Sequence, residues 1–290
     1  MNDKDILQRF LFENAPVRGE FVQLSTSYQA IIQQHTYPAA IRRLLGEALV
    51  VATLLSAIIK FKGRLTVQFR GKGKIKLLLV QCTQQLHLRG LVQCSDDIAP
   101  DELWEALHEG TLAIMMDPDI EGGKRYQGIV AWQGRSLLES IEGYFKLSEQ
   151  LPTRLWLAVN DTSATGFLLQ VMPKERPELY QDHWEHLQHL TNTLTSEELL
   201  CLDVRTLLKR LYSEEDVRLF DPMPVIFQCN CSVKRSENAI VLLGREEAEH
   251  ELHEKQKIVV TCEFCNTEYV FDRVDVAQIF KKDENSSHLH

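Results

Sequence analysis

The apolar positions of residues 1–173 change period several times. GEFVQLS (19–25) alternates apolar and polar residues as a half-buried strand does, and SYQAIIQQ (27–34) shifts to helical spacing. IRRLLGEALVVATLLSAIIK (41–60) is apolar nearly all round, which predicts a central helix buried on every side. RLTVQFR, IKLLLVQC and LHLRGLVQC follow as strands separated only by GKGK and TQQ. Connections this short suit antiparallel hairpins rather than parallel crossovers. TLAIMM, YQGIVAW, TRLWLAV and GFLLQVM supply further strands, with SLLESIEGYFKLSEQ as a helix before Pro152. Hairpins mixed with helices predict an α+β fold rather than a doubly wound sheet.

The pattern changes after Pro173 and Pro177, and only helical periodicity runs from Leu179 to Tyr212. Thr195 to Glu198 fits a capping box, followed by Leu199, Leu200, Leu202, Leu207, Leu208 and Leu211. Such short helices cannot bury their apolar faces on one another, so they are expected to lie on the N-terminal domain. DPMP (221–224) ends this stretch. The resulting division is a mixed helix/antiparallel-sheet core domain at 1–178, a helical linker at 179–224 and a small C-terminal domain at 225–290.

Composition narrows the function. The 290 residues are 44% hydrophobic and 25% charged, a globular profile. The net charge is −9, and the segment from Ile226 onward holds 8 Lys/Arg against 12 Asp/Glu. That sign repels phosphate backbones and argues against nucleic acid as a partner. The most apolar run, Leu44 to Ile59, is 16 residues long and contains Glu47, short of the roughly 20 apolar residues of a membrane span, so no membrane partner is expected. MNDKDILQRF has no apolar signal region, and a cytoplasmic location is expected. In a reducing compartment, clustered cysteines point to metal or redox chemistry rather than a disulfide framework.

Among the seven cysteines, four form two pairs: Cys229 and Cys231 in FQCNCS, then Cys262 and Cys265 in TCEFC, thirty residues on. Four thiolates make a closed tetrahedral zinc site with no open position for catalysis, so one Zn2+ per reduced chain is expected. The domain that carries them is too small for a large core of its own, and structural zinc contributes roughly 10–16 kcal/mol in small peptides. The plainest reading is an inert zinc ribbon. The tighter C-x-C spacing permits another, because alpha-carbons two residues apart lie roughly 5.5–7 Å from each other, near the range that a disulfide tolerates. C-x-x-C can also close locally, and Lys234 and Arg235 could favour thiolates in the first pair. Spacing alone leaves both readings open.

These pairs, with FLFENAPVRGE (10–20), RYQGIVAW (125–132), GYFKLSEQLPTRLWL (143–157), LLQVMP (168–173) and FDPMPVIFQCNCS (220–232), make the chain resemble the redox-regulated holdase chaperone family, heat shock protein thirty-three. The resemblance implies a substrate-binding core, a metastable linker and a zinc switch with Cys229, Cys231, Cys262 and Cys265 as ligands. It implies disulfides Cys229–Cys231 and Cys262–Cys265 on oxidation, unfolded or partly unfolded proteins as clients, and a homodimer when oxidised. It implies no enzymatic activity, in keeping with the lack of a hydrolase or P-loop motif. Members of that family often carry Gly where this chain has Asn266, at a turn expected to need positive φ, which Asn tolerates best among non-glycine residues.

Weaker signals have plainer explanations. Cys82, Cys94 and Cys201 are expected to be packing cysteines. His183, His186 and His189 could form a metal face, but Trp184, Leu187 and Leu190 make the neighbouring stripe apolar, so the histidines are expected to flank a docked helix. HELHE (250–254) lacks the second histidine of H-E-x-x-H and reads as part of a solvated helix, and GKGKIK (71–76) reads as a hairpin turn. Two alternatives from other classes remain. A zinc-ribbon nucleic-acid binder should show a basic face. A thiol-disulfide oxidoreductase should have C-x-x-C opening a helix, whereas NTEYVF after Cys265 reads as strand.

Overall fold

A computed structural model of the chain describes residues 5–59, 62–95, 98–108, 110–120, 123–131, 136–173 and 181–287. Lys60, Trp132, Pro177 and the linker start at 179–180 lie outside the described residues. The chain forms two compact units, the first ending at Gln228 and the second beginning at Cys229.

The first unit is α+β, as the mixed periodicity predicts. Its first sheet contains β1 (Ile6–Phe12), β2 (Val17–Leu24), β8 (Thr153–Val159), β9 (Ala164–Val171), β10 (Val217–Leu219) and β11 (Met223–Pro224). The order is β10-β1-β2-β9-β8, with β11 also on β1, and every pairing is antiparallel. The second sheet contains β3 (Gly63–Arg70), β4 (Ile75–Thr83), β5 (His87–Cys94), β6 (Thr111–Pro118), β7 (Tyr126–Val130) and β12 (Ile226–Phe227), in the order β12-β5-β4-β3-β6-β7. Among the described residues only β12, on β5, pairs in parallel there. The GKGK connection closes the β3–β4 hairpin, where the Gly71 N–H donates to Lys76 O at 3.1 Å.

Helix α1 (Thr26–Ile32) precedes α2 (Ala39–Ile58), which packs against β2, β8 and β9 on one side and β3, β4 and β5 on the other. This sandwiching is why α2 lacks a polar face: Leu45, Ala48, Leu49, Val50, Val51, Leu54 and Leu55 are all fully buried. A Cβ at Gly166 in β9 would collide with Val50 Cγ1, so a glycine there lets the sheet approach the helix. Helices α3 (Leu103–His108) and α4 (Leu137–Tyr144) complete this part, and α4 runs on into a π-turn at Phe145–Glu149.

The other face of the first sheet is aromatic. Phe10, Phe12, Phe21 and Phe167 are buried there with Leu169 and Val171. Helices α5 (Gln181–Thr191), α6 (Ser196–Cys201) and α7 (Val204–Leu211) lie on it through Trp184, Leu187, Leu199, Val204, Leu207, Leu208 and Leu211. The capping box at Thr195 and Glu198 forms, and Asp203 caps α7 by accepting from Thr206 N at 3.1 Å. Arg210 joins α7 to α6 through Glu198 at 2.6 Å, and Tyr212 packs edge-on against Phe12 with ring centroids 4.9 Å apart.

The strands beyond α7 were not legible as strands, because each is two or three residues long and exists only through its partner. β10 and β11 lie along β1, and β12 crosses to the second sheet. Val225 between them is 2% exposed, and its N–H donates to Asp5 O at 3.0 Å. The segment Val225–Gln228 is bonded into the first compact unit, which ends at Gln228. Among the described residues no helix is long and apolar enough to cross a membrane.

The second unit has a small core of its own. Helices α8 (Val233–Leu243), α9 (Arg245–Lys255) and α10 (Arg273–Ser287) surround the hairpin of β13 (Ile258–Thr261) and β14 (Glu268–Phe271). Its buried apolar side chains are Ile240, Ala248, Leu252, Ile258, Phe271, Val276, Ile279 and Phe280. HELHE lies on α9, where Leu252 faces this core and both histidines are solvent-exposed, as a solvated helix requires.

Candidate metal centre

The two cysteine pairs reach one point by different local devices. Cys262 and Cys265 sit in the turn of the β13–β14 hairpin. The Cys262 N–H donates to Thr267 O at 3.0 Å, while the N–H groups of Cys265 and Asn266 turn back to Cys262 O at 3.3 and 2.8 Å. Asn266 has φ +52°, the left-handed conformation expected of this position. Cys229 and Cys231 lie on the extended segment that enters α8. Ser232 caps that helix by accepting from Arg235 N at 3.3 Å, and Arg235 Nη1 donates to Asn230 O at 2.8 Å. Arg235 therefore holds the backbone of the C-x-C loop.

The structure brings all four sulfurs within 4.8 Å of one another. Cys229 Sγ lies 3.6 Å from Cys262 Sγ, and Cys231 Sγ lies 3.5 Å from Cys265 Sγ. Thiolates at about 2.3 Å from a tetrahedral zinc stand about 3.8 Å apart, so the donor set and its spacing fit that ion. All seven cysteines are free thiols. Both of these sulfur contacts join one pair to the other, which is the arrangement of a shared centre.

The thiols are not electrostatically equivalent. Burial pushes Cys229 up to about 12, and burial also raises Cys262. At Cys265 burial opposes ionisation, but hydrogen bonds from the Thr267 side chain and backbone and from neighbouring thiols outweigh it and bring the group down to about 7. Tyr269 Oη donates to Cys231 Sγ at 3.2 Å and Thr267 Oγ1 lies 3.2 Å from Cys265 Sγ. Tyr269 and Thr267 thus support the sulfurs from β14 and the turn before it. Neither stood out in the sequence, because a supporting hydroxyl has no spacing signature.

The remaining cysteines lie apart from the cluster. Cys82 is buried, accepts a hydrogen bond from Ser56 Oγ at 3.2 Å and is pushed up to about 11 by burial, as a packing cysteine should be. Cys94 is half-buried against the main core. Cys201 departs from expectation, because it ends α6 on the exposed side while Leu199 points to the sheet. Trp184 and Leu187 are buried as the apolar stripe requires, and His183 and His186 flank it, each within 3.5 Å of the Glu215 carboxylate. Among the described residues these histidines belong to no group that could hold a metal.

Comparison with known proteins agrees with this architecture. A family profile described as Hsp33 protein matches residues 5–272. The 33 kDa chaperonin of Pseudomonas aeruginosa is 47% identical over 97% of this chain and 96% of its own length. That of Nitrosococcus oceani is 45% identical over 97% and 96%. The crystal structure of the 33 kDa chaperonin, a heat shock protein 33 homolog, from Thermotoga maritima superposes with a TM-score of 0.83. It covers 97% of this chain and 99% of that one at 22% identity, a likeness of fold.

Replacing one thiol removes a quarter of the donor set. Cys262→Ser is expected to lose most of its zinc and to bind the remainder far more weakly, while Cys82→Ser, Cys94→Ser and Cys201→Ser keep one zinc per chain. Metal analysis of the reduced proteins checks this, and unchanged zinc content and affinity in Cys262→Ser would contradict it.

Proposed function

The chain belongs to the Hsp33 family of chaperones, and on that premise we propose that it is a redox-regulated, ATP-independent holdase. In the reduced chain Cys229, Cys231, Cys262 and Cys265 hold one Zn2+, which supplies structural stability and no open coordination position. Two-electron oxidation of each pair joins Cys229 to Cys231 and Cys262 to Cys265, each pair of thiolates giving two electrons to the oxidant as its S–S bond forms, and leaves no thiolate to hold the metal. The second unit then loses the main source of its stability, and the linker helices leave the aromatic face of the first sheet. That face, with the inner sides of the helices, holds unfolding proteins before they aggregate, and the oxidised chain dimerises. Holding a client needs no catalytic group, so the protein acts as a cytoplasmic chaperone rather than an enzyme, without nucleic acid or membrane as a partner.

The observation that carries this reading is the aromatic face itself. Phe10, Phe12, Phe21 and Phe167 are 0–3% exposed under short helices whose chain runs on into the cysteine cluster. A large apolar patch that can be uncovered is a surface suited to exposed apolar segments of other proteins. A zinc-ribbon nucleic-acid binder is disfavoured by the acidic C-terminal segment, and an oxidoreductase by the strand β14 where a helix should follow C-x-x-C.

Two outcomes test the reading. Peptide mapping after oxidation is expected to find Cys229–Cys231 and Cys262–Cys265, because closing a loop of two or three residues in an unfolded segment is far easier than closing one of thirty. In the folded cluster sulfurs of opposite pairs lie 3.5 and 3.6 Å apart, so a dominant Cys229–Cys262 or Cys231–Cys265 bridge would mean oxidation without collapse of the unit.

The second outcome concerns linker docking. Leu207 is fully buried, and Leu207→Glu removes about 1.5–3 kcal/mol of apolar burial and adds the cost of burying a charge. Wild type is expected to suppress client aggregation only after oxidation, and Leu207→Glu already in the reduced, zinc-loaded state. Light scattering with a thermally unfolding client reads both. A Leu207→Glu protein with an exposed linker and no activity when reduced would contradict the coupling.

A further inference from the structure

A cavity of about 920 Å³ in the first unit lies where the linker's tail crosses the end of α2. Its five charged lining residues are Arg9 of β1, Arg18 and Glu20 of β2, Lys62 ahead of β3, and Asp221 of the linker's tail. Arg9 Nη2 donates to Ala57 O at 3.1 Å and Arg18 Nη2 to Ile58 O at 3.0 Å, so both guanidiniums cap the last carbonyls of α2. Neither has a protein acceptor for Nη1 among the described residues, and Lys62 makes no ion pair among them.

Glu20 is the unusual member. It is 2% exposed and lines the cavity, its Oε1 lies 3.5 Å from Arg9 Nε, and its Oε2 has no hydrogen-bond partner. A buried carboxyl oxygen without a partner is destabilising unless something outside the protein satisfies it. Leu86, Phe220 and Met223 give the remaining wall an apolar character, and a volume of this size suits a small organic molecule.

We propose that this cavity binds a small amphipathic anion, with its acid group among Arg9, Arg18, Lys62 and the Glu20 carboxyl and its hydrocarbon against Leu86, Phe220 and Met223. Three cations face Glu20 and Asp221, so the cavity favours negative charge. Burial pushes Glu20 up to about 7 against the pull of Arg9 and Arg18, so near neutrality its carboxyl can carry a proton and donate Oε2–H to the bound acid. Phe220, whose N–H donates to Arg9 O at 2.9 Å, and Met223 belong to the linker's tail, so an occupant also bridges that tail to β1 and β2. Binding itself does not depend on the chaperone reading.

Isothermal calorimetry on the reduced, zinc-loaded full chain tests this with decanoate, decyl phosphate and decylammonium, all below micelle-forming concentrations. One decanoate or decyl phosphate per chain is expected, the stronger of the two identifying the headgroup, with decylammonium at least about tenfold weaker. Lys62→Ala, a substitution at an exposed side chain, should weaken anion binding about tenfold. Wild type should bind more tightly at pH 6 than at pH 8, and Glu20→Gln should lose that difference, since its amide donates at either pH. Hydrogen exchange at the Phe220 amide should slow on binding. No anion binding at millimolar concentration, equal binding of decylammonium, or undiminished binding by Lys62→Ala would overturn the proposal.

Discussion

The apolar contact between the inner faces of α5, α6 and α7 and the aromatic side of the first sheet determines what the rest of the molecule can do. Helices of 6–11 residues do not hold their form alone in water, so their conformation depends on this packing. Local devices set where each helix begins: the Thr195 capping box, the Asp203 cap and the Arg210–Glu198 pair that clamps α6 to α7. None of these exposed polar contacts rivals the burial of Leu207, Leu208 and Trp184. The sheet side of the contact needs its own accommodation, since a Cβ at Gly19 would run into the ring of Phe10 across the strand pair.

The second unit contributes little burial of its own. Among the described residues, eight buried apolar side chains serve a unit that begins at Cys229, a core far smaller than the one around α2. A tetrahedral ion that cross-linked the four thiols would therefore add much to the order of this unit. Loss of that ion is expected to unfold the unit while the first unit keeps its own core. The connection between the two passes through β12, a two-residue strand separated from Cys229 by Gln228 alone. Its attachments are few: Ile226 N–H to Leu86 O, Phe227 N–H to Ser27 Oγ and Gln228 N–H to Leu88 O, each at 3.0 Å.

Much of this was legible in the sequence, for identifiable reasons. The all-round apolar run of α2 marks a helix between two sheets, and the short GKGK and TQQ turns mark hairpins. The cysteine spacing points to one cluster, and Asn266 to a left-handed turn. What escaped depends on distant partners. β1 reads poorly because Gln8 and Arg9 interrupt ILQRFLF, yet it pairs with β2, β10 and β11. β10 to β12 are too short for any period. The exposure of Cys201 follows from the rotation of α6 on the sheet, which a six-residue helix does not encode clearly. The meeting of Arg9, Arg18, Glu20 and Lys62 is a product of strand register and the position of the end of α2.

The proposed switch requires linker docking to depend on a second unit held together by metal. Amide hydrogen exchange on the full chain, reduced with zinc and then oxidised without it, measures that dependence directly. Loss of protection is predicted across α5–α7, including the Leu207 and Tyr212 amides that donate to Asp203 O and Leu208 O, while β3 and β4 stay protected. Linker protection that persists after the second unit has lost its own would contradict the account.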